Sequence, residues 1–245
     1  MMRRILLTIE YKGTSYSGWQ AQKNGPSVQQ ELVRALEKAC GHKVKLVASG
    51  RTDEGVHALA QVAHFDTDCP IPDDKFPFAV NPLLPKDIRI TSSGRAPEGF
   101  HARYGAKRKT YVYKLYTSKV DSPLRRELFA HIPYELDIER MREAAKYLVG
   151  EHDFSAFMAS GSSVKGTVRR IYYIEIARNG DQIEIEVCGN GFLRHMVRII
   201  AGTLIDVGRG KIEPGEVVRI LKSGDRAWAG FTAPSCGLFL KGVEY

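Results

Sequence analysis

The run Ser49-Gly50-Arg51-Thr52-Asp53-Glu54-Gly55-Val56-His57-Ala58 sets a carboxylate, Asp53, on a glycine-flanked loop with a guanidinium, Arg51, two residues before it. Apolar, β-branched runs at 44–48 and 61–67 flank it, so the loop hangs between two expected strands. Loops held by a rigid sheet are where catalytic groups gather. A carboxylate placed there suits nucleophilic or acid–base work. Asp-Glu-Gly between strands is also an ordinary turn whose aspartate caps backbone groups, so the loop by itself leaves both readings open.

Three other segments bear on the choice. In Phe100-His101-Ala102-Arg103-Tyr104-Gly105-Ala106-Lys107-Arg108-Lys109-Thr110-Tyr111-Val112-Tyr113, four basic side chains interleave with three tyrosines. Cations meet phosphates and aromatic faces take bases, so the mixture suits a nucleic acid; a half-exposed strand with tyrosines packed across it would read the same way. In the segment 189–204, Leu193, Met196, Val197, Ile200 and Leu204 mark one face of a helix, with Arg194 and Arg198 four apart. Arg198, flanked by Val197 and Ile199, is either a snorkelling surface cation or one turned into a cleft, where Asp53 is the candidate partner. The segment 11–22 is a glycine-rich polar loop with an aromatic anchor, Trp19. It lacks the phosphate-cradling Gly-x-x-x-x-Gly-Lys-Ser/Thr pattern, and no Gly-x-Gly-x-x-Gly opens a helix after a strand, so no nucleotide cofactor is expected. The paired aromatic hallmark of RNA-recognition modules is also missing.

These segments need elements to position them. A strand at 5–11 leads into a loop at 12–26. Ser27, with Gln30 three residues on, opens a helix whose stripe is Val28, Leu32, Ala35, Leu36 and Ala39, stopped by Gly41. Strands at 44–48 and 61–67, a short helix at 72–84 and a strand at 88–92 complete a β-α-β-β-α-β order, the ferredoxin-like pattern. The second half echoes it. There is a strand at 109–116, a helix opened by Asp137 and ended by Gly150, strands at 170–177 and 182–188 around Asn179-Gly180, helices at 193–207 and 214–222, and a strand at 237–243. The expected fold is α+β: two ferredoxin-like, RNA-recognition-like α/β subdomains with mostly antiparallel sheets forming a central cleft, where a ligand would sit. The boundary falls near 95–106, giving an N-terminal subdomain at 1–105 that carries the Arg-Thr-Asp loop. A C-terminal subdomain at 106–245 carries Tyr111 and the Phe-Leu-Arg-His-Met-Val-Arg helix.

Composition narrows the partners. The 245 residues carry 36 Lys and Arg against 28 Asp and Glu, a formal charge of +8 that favours a polyanion. No apolar run approaches the roughly 20 residues a membrane span needs. Residues 5–9 are too short for a signal-peptide core, so the cytoplasm is the expected location and no membrane a partner. Cys40, Cys69, Cys188 and Cys236 form no Cys-x-x-Cys pair, and His57 and His64, seven apart, make no metal motif, so no metal is expected.

The combination resembles the tRNA pseudouridine synthase A family. The resemblance is carried by 11–22, 50–65, 100–113, 150–157 and 191–210, nearly the whole chain. Arg-Thr-Asp-Glu-Gly-Val-His-Ala is the most specific run and Phe-His-Ala-Arg the next. Lys12 departs from the pattern, standing where the family often has an acidic residue. The resemblance implies a pseudouridine synthase fold and a homodimer that uses neither metal nor organic cofactor. It implies that uridines at positions 38, 39 and 40 of the tRNA anticodon stem-loop become pseudouridine, with Asp53 as the catalytic nucleophile. It gives Arg198 as that aspartate's partner, Tyr111 as the ring lying against the target base, and Arg51 as a residue that helps extrude the nucleotide. Substrate-binding residues are then Tyr111, Arg51, His57, Arg103 and Arg194.

The chemistry would break C1′–N1, turn the uracil, and form C1′–C5, after the nucleotide is flipped out at a cost of a few kcal/mol. Asp53 could attack C1′ or remove a sugar proton to give a glycal, and the sequence leaves both open. Rival readings are a non-catalytic RNA-binding protein, and a metal-dependent nuclease or phosphotransferase built on Asp53, Glu54 and Asp66. A hydrolase is disfavoured by the lack of a Gly-x-Ser-x-Gly elbow.

Overall fold

The computed structural model describes residues 2–22, 25–161 and 166–245. Lys23 and Asn24, in the expected loop 12–26, lie outside the described residues. The chain divides into two compact units, Met1–Lys107 with Leu240–Tyr245, and Arg108–Phe239.

In the first unit, β1 (Arg3–Tyr11), α1 (Val28–Cys40), β2 (Val47–Ala48), β3 (His57–Thr67), α2 (Phe76–Val80) and β4 (Ile88–Arg95) follow in order. The strands pair antiparallel in the order β4-β1-β3-β2. Alternation along β1 sends Ile5, Leu7, Ile9 and Tyr11 to one buried face. Val28, Leu32, Ala35 and Leu36 bury one stripe of α1. Ser27 caps that helix by accepting the Gln30 amide at 3.3 Å while its hydroxyl donates to Gln30 Oε1 at 2.9 Å. Gly41 ends it at φ 74°, a left-handed conformation that glycine adopts without a Cβ clash. The helix expected over 72–84 is only Phe76–Val80 followed by a 3-10 turn at Asn81–Leu83. Pro82 supplies no amide to continue it. Asn81 instead bonds β4, donating to the Ile90 carbonyl at 3.0 Å and accepting its amide at 2.8 Å.

The second unit runs β5 (Arg108–Thr117), β6 (Ala130–Ile132), α3 (Ile138–Lys146), β7 (Gly150–Asp153), β8 (Val168–Asn179), β9 (Gln182–Gly189), α4 (Met196–Gly208) and α5 (Glu216–Ser223), then enters β10 (Leu238–Glu244). Antiparallel β5-β9-β8-β7 form its sheet, with β6 parallel on β5. Gly180 turns the β8–β9 hairpin at φ 61°. Asp137 Oδ1 accepts the Arg140 amide at 3.1 Å and caps α3. The α+β class with mostly antiparallel pairing is therefore as expected.

One boundary matters for the site. The helix expected from 193 begins at Met196, because His195 takes a left-handed φ of 60° and breaks the helical path before it. Arg194 is thus in the turn ahead of α4 and shares no helix face with Arg198.

Candidate active site

The Asp53 loop is held from both ends. On its N-terminal side Ser49 donates from Oγ to Gln61 Oε1 at 2.6 Å, and Gln61 Nε2 donates to the Gly50 carbonyl at 3.1 Å. Both side chains are fully buried on the sheet. On its C-terminal side the Val56 amide closes onto the Asp53 carbonyl at 3.2 Å. His57, 1% exposed, accepts the Gly13 amide on Nδ1 at 2.9 Å. That ring nitrogen is therefore unprotonated, and the imidazole braces the loop from beneath. β3 begins at His57 rather than 61, because its first residues already pair with β1, Tyr11 facing Ala58 past an irregularity after Ile9.

The glycine-rich segment 11–22 lies directly against this loop. A Cβ on Gly13 would stand 2.0 Å from the Val56 carbonyl oxygen, and one on Gly18 (φ 99°) 2.7 Å from that of Thr52. Backbone meets backbone, and the Trp19 amide donates to the Thr52 carbonyl at 3.0 Å. Below it, the Tyr11 hydroxyl and Thr52 Oγ1 share a buried hydrogen bond at 2.7 Å. Burial pushes the Tyr11 phenol far above the usual tyrosine range, so it stays protonated. Thr52 is turned inward, while Asp53 is half-buried and Arg51 and Glu54 are exposed. Asp66 pairs instead with Arg4 through Nε and Nη2 at 2.8 and 2.9 Å, which holds its carboxyl below the usual range. Among the described residues no three His, Cys, Asp or Glu side chains converge to hold a metal.

In the second unit, Tyr111 is half-buried on β5, facing Val187 of β9. Its ring meets Phe192 edge-on at 5.2 Å and 87°. Tyr113, on the same face two residues on, donates to the Pro234 carbonyl at 2.9 Å. Arg198 is the half-buried member of an otherwise buried first turn of α4. Its Nε donates to the Ala233 carbonyl at 2.7 Å, and the Ala233 amide returns a bond to the Arg198 carbonyl at 3.1 Å. The strap at 229–234 lies on α4 with no room to spare. A Cβ on Gly202 would stand 1.8 Å from the Phe231 carbonyl oxygen, and Gly230 bonds Thr203 Oγ1 through its amide at 3.0 Å. Arg198 is therefore anchored on the side of β5 that carries Tyr113 and Tyr111. Arg194, exposed, donates from Nη1 to the Ser160 carbonyl at 3.0 Å.

Arg103 ends the Phe-His-Ala-Arg run in the first unit, and Tyr104 follows it. His101 Nδ1 accepts both their amides, at 3.1 and 3.2 Å, and its ring stacks on Tyr104 at 4.4 Å. The run is fixed by the Ala102 amide on His64 Nδ1 at 3.1 Å and by the Tyr245 hydroxyl on the Ala102 carbonyl at 2.8 Å. Asp53, Arg51, His57 and Arg103 thus belong to the first unit, and Tyr111, Arg194 and Arg198 to the second. Sequence reasoning missed Tyr11, Gln61 and the strap. The alternation of β1 marks Tyr11 as inward, but nothing local marks residues 229–234.

The tRNA pseudouridine synthase family profile matches residues 7–105 and 144–245. The chain is 51% identical to tRNA pseudouridine synthase A of Thermoanaerobacter sp. (strain X514) over 244 residues, covering all of both chains. It is 52% identical over 245 residues to that of Ruminiclostridium cellulolyticum and 50% over 244 to that of Geotalea uraniireducens, again covering both chains fully. Among solved structures, a chain of an H/ACA RNP bound to a substrate RNA containing 2′-deoxyuridine aligns with 82% of this chain and 44% of its own, at 12% identity and a TM-score of 0.40. With its family profile matched over most of its length and its relatives aligned end to end, the chain belongs to the tRNA pseudouridine synthase family.

Proposed function

We propose that the protein isomerises uridine to pseudouridine in tRNA, at positions 38, 39 and 40 of the anticodon stem-loop. Asp53 is the catalytic carboxylate, acting at the ribose of the flipped-out nucleotide. Arg198 is its guanidinium partner, and Tyr111 offers its ring to the uracil, a contact of the kind worth about 1–3 kcal/mol. Arg51, Arg103 and Arg194 meet the RNA backbone. His57 acts from below, as the brace of the loop. The observation that carries the reading is the Asp53 loop itself: a half-exposed carboxylate on backbone locked at both ends, in a chain of this family. Pre-organisation of that kind is what positioned catalysis needs.

The reaction moves no atom in or out. C1′–N1 breaks, the uracil turns, C1′–C5 forms, C5 gives up its proton and N1 gains one. Two routes suit a carboxylate so placed: attack at C1′, or removal of the 2′ proton to give a glycal. A primary isotope effect with 2′-deuterated uridine marks the second, and its absence the first.

The two subdomains of this reading are 1–105, with the Asp53 loop, and 106–245, with Tyr111 and Arg198. The protein works in the cytoplasm as a homodimer, a state light scattering on the purified chain reports. The site assignment is tested on tRNA transcripts in which one of positions 38, 39 and 40 is uridine and the others cytidine. Pseudouridine mapped by carbodiimide block and primer extension is expected at each of the three. Conversion only outside the anticodon stem-loop would overturn it.

A further inference from the structure

Arg169, on β8, has no anionic partner among the described residues. It is half-buried, and its stem lies along Gly191, with Cδ and Nε each 3.9 Å from where a Cβ on that glycine would stand. Nη1 donates to the carbonyls of Val168 at 2.6 Å and Gly166 at 3.3 Å, both in its own segment. Among the described residues no carboxylate pairs with it, and residues 154–174 contain neither Asp nor Glu. Its neighbour Arg170 shows the usual solution, an ion pair with Glu151 at 3.4 Å. Burial alone lowers the Arg169 pKa, with no neighbouring charge to oppose it. A partly desolvated guanidinium is rarely left so, since its charge normally finds a partner.

Its location supplies the partner. Gly191 is followed by Phe192, whose ring braces Tyr111 at 5.2 Å. The guanidinium thus lies one residue from the aromatic contact that sets the base-facing ring. Two residues beyond Phe192, Arg194 rests on the Ser160 carbonyl at 3.0 Å. Both guanidinia are oriented by carbonyls, which fix a fork without neutralising it. A planar fork held open in this way matches two oxygens of a phosphate.

We infer that Arg169 is a phosphate-binding residue, gripping through Nε and Nη2 the RNA phosphate beside the nucleotide whose base lies on Tyr111. The inference rests on the proposed reading of the site. A carboxylate in Arg169's place would repel the backbone, and a lysine would supply charge without the fork.

The test is tRNA binding measured against KCl concentration for wild type, Arg169→Gln and Arg169→Lys, with steady-state turnover alongside. Losing one phosphate contact lowers the slope of log K against log salt by about 0.7–0.9. Arg169→Gln is expected to show that drop and a KM raised about tenfold with a smaller change in kcat. Arg169→Lys is expected to restore the slope and only part of the affinity. A Gln variant with wild-type slope and KM would overturn the assignment. So would one whose slope is unchanged while its melting temperature falls, because that is the mark of a structural arginine. Wild-type protein that binds tRNA but converts no uridine would overturn the isomerase reading and leave the phosphate assignment to be decided by the slopes.

Discussion

The Gly13 α-carbon faces the Val56 carbonyl so closely that a β-carbon there would stand 2.0 Å from the oxygen. Side chains are excluded because two backbones are in contact, one of them carrying Asp53. The glycine-rich loop is therefore the wall that fixes the path of the Asp53 loop. Gly13→Ala is expected to push residues 53–56 aside and lower kcat/KM about 100-fold, the scale of a misplacement near 1 Å. Gly94→Ala, where a Cβ meets nothing within 4 Å, serves as the control and should leave turnover unchanged. Steady-state kinetics on tRNA read both.

Tyr11 and Thr52 make a second hold on the loop from below, 2.7 Å apart and buried. Tyr11→Phe strands the threonine hydroxyl and should cost about 1–3 kcal/mol in urea unfolding. Thr52→Val leaves the phenol short of one partner. The double variant should be less destabilised than the sum of the singles, since removing both partners relieves the unmet hydrogen bond. Strict additivity would mean the bond contributes nothing.

Much of this was legible from residue types. The Arg51-Thr52-Asp53 loop stands out because a carboxylate between glycines on a strand-to-strand turn is a local pattern. The Ser27 cap, the Gly41 stop and the Gly180 hairpin are local too, and each lies where its chemistry puts it. What the sequence hid are long-range contacts. Gln61 holding Gly50, Gly202 receiving the strap and Ala233 anchoring Arg198 each join residues 11 to 35 apart. Nothing in the periodicity of one segment announces the other. The start of α4 is hidden for a different reason: the apolar spacing of Leu193 and Met196 runs through His195, while the backbone there turns left-handed.

His64 is 3% exposed, and its pKa is held down to about 4, chiefly by burial and then by Arg4 and His101. The folded protein therefore keeps it neutral where the unfolded chain, near pKa 6.5, already binds a proton. Stability from this group is complete above about pH 6.5 and is lost as pH falls toward 4. Its Nδ1 accepts the Ala102 amide, so the loss should loosen the Phe-His-Ala-Arg run as well. His64→Asn, which keeps an acceptor but cannot be charged, should flatten the stability profile between pH 6.5 and 4 in thermal melts. An unchanged profile would remove His64 as its source.

Gly202→Ala places a methyl 1.8 Å from the Phe231 carbonyl oxygen. The strap must lift, and with it the Ala233 carbonyl that holds Arg198. Overpacking of this sort costs about 1–3 kcal/mol. Turnover should fall further than stability does, because the guanidinium loses its anchor. Chemical denaturation and single-turnover rates on the same preparation separate the two effects.

The central claim is that Asp53 acts on the ribose of a tRNA uridine. Tritium release from tRNA labelled with [5-³H]uridine, in the presence of EDTA, tests it most directly, comparing wild type with Asp53→Asn. Stoichiometric release is expected from the wild type and none detectable from the variant, whose tRNA affinity stays close to normal. Release by Asp53→Asn at a rate near that of wild type would contradict it, and so would a wild type that binds tRNA and releases nothing.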